Sequence, residues 1–133
     1  MKRTLMILAP ACLIAACAAS PASNGGPLNT TVTLVPAAST AVGANTTLRY
    51  DAVNDSRCPP DVQCVQAGEI SYQFTLLGAA GDESFALTRK KPSFDAAKHA
   101  GVRVVLSDAA DPPRVAASAP VPAHPVTVTI TKK

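Results

Sequence analysis

The sequence predicts an all-β domain, and three observations carry that expectation. Apolar and polar residues alternate with period two in several short runs, most cleanly over residues 69–77. These runs are punctuated by Pro, Gly, Asn and Asp, which turn or stop a strand. No stretch carries the 3.6-residue apolar repeat of a long helix. Short strands between such turns, over about 100 residues, point to an immunoglobulin-like β-sandwich of about six or seven strands; a small β-barrel is the runner-up. A chain of 133 residues holds one such domain.

Taken in order, residues 31–35 read as the first strand, stopped by Pro36, which cannot donate to a ladder. Residues 37–45 read as a turn region with Gly43 and Asn45, in which residues 37–42 would supply a seventh strand. Residues 46–53 form the next, with Leu48, Tyr50 and Ala52 on one face and Thr47, Arg49 and Asp51 on the other. A cysteine-bracketed loop follows, ending at Gly68, read as a position needing glycine's conformational freedom. Residues 69–77 then place Ile70, Tyr72, Phe74 and Leu76 inward and Ser71, Gln73 and Thr75 outward. A hairpin-type connection at residues 78–82 leads to a strand with Phe85 and Leu87 inward. Residues 89–101 are a polar excursion with a helical turn expected at 95–99. Residues 102–107 return to strand, with Val102, Val104 and Leu106 inward. Residues 111–125, DPPRVAASAPVPAHP, hold five prolines and read as an extended crossing. The last strand is 126–131, with Val128 and Ile130 inward. No internal repeat is visible.

The first 29 residues are of another kind. Lys2 and Arg3 precede an apolar run from Leu5 to Ala16. As a helix that run spans about 18 Å, too short for a hydrocarbon core of about 30 Å. Residues 1–16 therefore read as a cleaved signal peptide. The run ends Leu13-Ile14-Ala15-Ala16-Cys17, which resembles the lipobox of bacterial lipoproteins. The resemblance implies that Cys17 is diacylglycerylated, that the signal is cut just before it, and that the new amine is acylated. Several acyl chains hold a protein firmly where one does not. Ala18, rather than Asp, after the cysteine implies sorting to the outer membrane, with the domain in the periplasm. The competing reading is an ordinary secretory signal, cut after Ala19. Residues 17–29 would then comprise the lipidated cysteine and a flexible Ser, Gly, Pro and Asn tether, and 30–133 the domain.

Loss of Lys2 and Arg3 leaves ten of the 12 basic residues against 9 acidic ones, a net charge of +1. This gives no electrostatic case for nucleic acid. On the lipobox reading Cys12 leaves with the signal and Cys17 carries lipid. Cys58 and Cys64 remain, and in an oxidising compartment they pair.

The loop between them reads first as a rigid crossover between strands, stiffened by Pro59 and Pro60. A recognition role for Arg57, Pro59, Pro60, Asp61 and Gln63 is the second reading, since a ring loses little entropy on binding. A protease-inhibitor loop is a special case of it. Thiolate metal binding is disfavoured by the wide cysteine spacing and the lack of a second pair. Asp55-Ser56-Arg57-Cys58-Pro59, with Val62, Cys64 and Ala67-Gly68-Glu69, resembles a motif of small exported bacterial proteins and lipoproteins of unassigned function. Gln66 stands where that resemblance implies a tryptophan. The resemblance implies a single β-domain behind a lipobox and supplies no activity.

Two histidines, His99 and His124, read as exposed loop residues, and no recognised nucleophile, zinc or phosphate-loop motif is present. Arg89-Lys90-Lys91 reads as a solvated strand end, or else as a contact with anionic lipid near the anchor. The expectation is a non-enzymatic, lipid-anchored envelope protein without a cofactor. Its partners would be the membrane, through its lipid, and another envelope protein. The alternative is a metal-handling or enzymatic module built from His99, His124 and loop acids.

Overall fold

The computed structural model describes residues 29–108 and 112–132. The expected signal peptide, Cys17 and all of the expected tether but Asn29 lie outside the described residues. Eight strands form two antiparallel four-stranded sheets, and no helix occurs among the described residues. One sheet contains β2 (Ser39–Gly43), β3 (Thr46–Asp55), β4 (Ile70–Gly78) and β5 (Glu83–Leu87), in that order. The other runs β1 (Thr30–Leu34), β8 (Val126–Lys132), β7 (Val102–Asp108), β6 (Ser93–Asp95). The protein is thus the two-sheet sandwich that alternation implies, with more strands than the six or seven expected. The chain changes sheets twice, between β1 and β2 and between β5 and β6.

The period-two pattern does what it should in β4. Ile70, Tyr72, Phe74 and Leu76 are all buried, and they pack with Leu48, Leu87, Val104, Val126, Val128 and Ile130 from both sheets. The chain's two tyrosines and three phenylalanines form one continuous row through that core. Ring centroids lie 6.3 Å apart for Tyr72–Tyr50, 5.0 Å for Tyr50–Phe74, 5.6 Å for Phe74–Phe85 and 4.0 Å for Phe85–Phe94. Such pairs add about 0.5–1.5 kcal/mol each beyond area burial. The last pair spans the two sheets, because Phe85 is on β5 and Phe94 on β6. The row has one flaw: the Tyr50 hydroxyl is buried without a hydrogen-bond partner. Burial, then the nearby Tyr72, pushes its pKa up to about 12.

Four local expectations need correction. Ala52 is exposed, because a bulge between Tyr50 and Ala52 shifts the register and turns Val53 toward the core instead. Thr75, expected on the wet face, is 5% exposed. Its hydroxyl donates to Asp51 Oδ2 at 2.6 Å and shares a 2.9 Å bond with Ser84. The helical turn expected at 95–99 is absent; Asp95 ends strand β6 and pairs with Arg103. Val35 lies beyond β1 and is 54% exposed, because Val35-Pro36-Ala37-Ala38 is already a β-turn. Ala38 N donates to Val35 O at 2.9 Å, and Ala37 takes φ 70° at the position where this turn type wants glycine.

The registers give the sandwich two distinct ends. At one, β3 starts, β4 hands over to β5, β6 hands over to β7, and Asn29 N donates to Ile130 O. At the other, β3 delivers the chain into the cysteine loop and the proline-rich segment delivers it into β8.

Candidate functional site

The cysteine loop begins where the β3–β4 ladder ends, at the Asp55–Ile70 pair. One further rung seals it. Ser56 N donates to Glu69 O at 3.0 Å, Ser56 Oγ donates to the same oxygen at 2.9 Å, and Glu69 N donates back to Ser56 Oγ at 3.1 Å. Gly68 is required here by closeness and not by conformation. It is not among the residues with positive φ, and a Cβ there would lie 1.7 Å from Ser56 O. Above this base Cys58 and Cys64 form the expected disulfide, with Cα atoms 5.7 Å apart. The base and the bridge fix the loop, yet residues 60–69 are all exposed.

The predicted recognition residues divide into two groups. Arg57 faces inward. Its Nε donates to Asp55 Oδ1 at 2.8 Å, and its Nη2 donates to Asp55 Oδ2 at 2.6 Å and to Pro112 O at 2.8 Å. The paired side chains are 17% and 12% exposed, so this fork is a clamp between the loop base and the proline-rich segment. The hydrogen bonds from Arg57 outweigh burial and hold the Asp55 carboxyl below the usual range; His124 adds to the effect. Asp61 makes a second tie, its Oδ1 accepting from Ala117 N at 3.1 Å. Pro59 is half-buried and lines a cleft of about 90 Å³ with Arg57, Arg114 and Val121. Pro60 and Gln63 face solvent, as does Gln66.

Sequence reasoning missed the loop's apolar surface. Val65 is 102% exposed and Val62 43%, and Val121 on the adjoining segment is 45% exposed. The available signal was Val62 inside a short polar ring and Val65 directly after it, where nothing in the strand periodicity asks for them.

The histidines do not meet. His99 is buried, at 6% exposure, correcting the expectation of an exposed loop residue. Its Nε2 donates to Gly81 O at 3.0 Å, and Nδ1 lies 3.5 Å from Thr46 Oγ1. His124 is half-buried at the far end, close enough to Asp55 to act on its charge. Thr46 and Asp55 open and close the 10-residue β3, a separation of about 30 Å. No group of three or more His, Cys, Asp or Glu side chains among the described residues could hold a metal ion. Among those residues, too, no helix is long and apolar enough to cross a membrane.

No protein-family model matches this chain, and no curated protein or solved structure is significantly similar to it.

Proposed function

We propose that this protein is a non-enzymatic, lipid-anchored component of the bacterial envelope, and that its cysteine loop is a docking surface for another envelope protein. One observation carries the docking part. Val65 stands wholly in solvent on a loop whose base is sealed by Ser56 and Glu69 and whose ring is closed by a disulfide. An apolar side chain held out by a fixed loop loses water and little entropy on binding. Anchoring rests on the lipobox resemblance at Cys17. It also suits the layout, because the tether would join at Asn29, the end of the sandwich away from the loop. The cysteine loop would then face away from the membrane, and with it the Arg89-Lys90-Lys91 turn.

The docking reading is tested in intact envelope with a photoreactive residue at position 65 and, as control, at Ala80 on the opposite end. The expected result is a discrete adduct from position 65 and none from position 80. Identical adducts from both, or none from position 65, would overturn it. Anchoring is tested separately: Cys17→Ala is expected to release the protein from membrane fractions, and retention would refute the lipid.

A further inference from the structure

The proline-rich segment is held at both of its ends. Upstream, Arg57 Nη2 donates to Pro112 O at 2.8 Å and Ala117 N donates to Asp61 Oδ1 at 3.1 Å. A turn closes there, with Ala119 N donating to Ala116 O at 2.9 Å. Downstream, Val126 opens β8 and is 1% exposed. Between turn and strand lie Pro120-Val121-Pro122-Ala123-His124-Pro125. Each of these but Ala123 is a proline, whose ring fixes φ, or stands just before one and is kept extended by it. None of the six takes a positive φ, and none makes a backbone hydrogen bond to the described residues. Restricted angles and an open backbone are the marks of a polyproline II helix.

That helix repeats every three residues, so Val121 and His124 share one edge, Pro122 and Pro125 the next, and Pro120 and Ala123 the third. His124 is half-buried and acts on the Asp55 charge, and Val121 lines the small cleft beside Arg57. Their edge therefore faces the body. Pro120, Pro122, Ala123 and Pro125 are all exposed. Pro122 and Pro125 thus form an outward ridge, about 9 Å apart along the axis. We infer that this ridge docks into a groove of a partner protein lined by tryptophan or tyrosine rings. Flat rings pack on proline faces, their N–H or O–H groups reach the open carbonyls, and a segment already extended loses little entropy on binding. The inference draws on the docking reading only for the presence of a partner in the envelope; its residues are different ones.

The test places a diazirine side chain at Ala123 of the full chain and illuminates intact envelope. A discrete adduct is expected, and mass spectrometry should locate its attachment beside tryptophan or tyrosine on the captured protein. Pro122→Ala combined with Pro125→Ala should reduce the adduct by about tenfold or more, since it removes the ridge. Pro120→Ala, on another edge, should reduce it less than about threefold. A urea midpoint measured for each variant shows that the fold is kept. Should the double variant lose its fold, Pro122→Ala alone is expected to reduce the adduct by about threefold or more. No adduct from position 123, attachment far from any tryptophan or tyrosine, an adduct that survives the loss of the ridge, or an equal loss from Pro120→Ala would each overturn the inference. The loop is read separately at position 65, where a missing adduct would remove the docking of the valines and leave the proline ridge standing.

Discussion

The two ends of the sandwich are closed by different means. At the His99 end the 96–101 excursion folds back and plugs the sheets with a buried imidazole. Glu83 straps it down, its carboxylate accepting from Ala97 N at 3.0 Å and Lys98 N at 3.0 Å. Lys98 Nζ donates to Asp82 O at 2.9 Å as a further strap. Side chains there are consumed in closing the fold. At the cysteine-loop end the closing is done at the base, by Ser56, Asp55, Arg57 and a covalent bridge, and the tip is left in solvent. Placement therefore separates stability from surface at one end and merges them at the other.

The sharpest break of that comparison is Gly68→Ala. With Ser56 O only 1.7 Å from the new Cβ, the loop base must open, at a cost of about 3 kcal/mol by urea denaturation. Gly78→Ala at the other end meets His99 Cε1 at 2.7 Å and Asn45 O at 2.9 Å. A ring can yield more than backbone, so about 1–2 kcal/mol is expected. Equal losses would mean that the loop base is no stiffer than the plug. Next comes the joint change Cys58→Ser with Cys64→Ser, expected to cost about 2 kcal/mol for so small a ring. Thermal melts that do not move would show that the Ser56–Glu69 rung alone sets the loop.

The pH response has the same sign at both ends. Burial raises the Glu83 carboxyl, but the two backbone N–H donors and nearby His99 and Lys98 outweigh it and hold the group below its ordinary value. Asp55 is likewise held down. Unfolded carboxylates take up protons first as pH falls, so both contributions are present above the ordinary carboxylate values, about pH 4.5 and up, and are lost progressively as pH falls from there through the lower values of the folded groups. Glu83→Gln should cost about 1 kcal/mol at pH 7 and make the acid limb of the stability curve shallower. An unchanged limb would remove Glu83 from the closure. The smallest effect is expected from Val65→Asp: below about 0.5 kcal/mol in stability, while any docking at the loop is lost. A larger fall in the urea midpoint would mean that the tip supports the fold.

How much was legible follows from which physics is local. In β4, Ile70, Tyr72, Phe74 and Leu76 announce their burial through spacing alone, and Pro36 announces its stop. The disulfide follows from cysteine arithmetic. Ala52 could not be placed, since a bulge leaves no compositional mark and reverses every later face of the strand. Strand β6 has three residues, too few to show a period, and it is held by Phe94 stacking across the sheets on Phe85. His99 was misjudged, and the inward tie of Arg57 was out of sight, for one reason. Polar residues in loops look solvated until a distant carbonyl, Gly81 O for one and Pro112 O for the other, takes them inside.

The pairing of β1 has a mechanical corollary. Its five rungs with β8 run from Thr30–Ile130 to Leu34–Val126, along the axis that joins Asn29 to the loop end. A pull on Asn29 resisted at the cysteine loop acts parallel to those strands. The rungs would then bear the load together in shear, not open one by one like a zip, so the sandwich is built to withstand tension applied at Asn29, as the proposed anchoring would apply it.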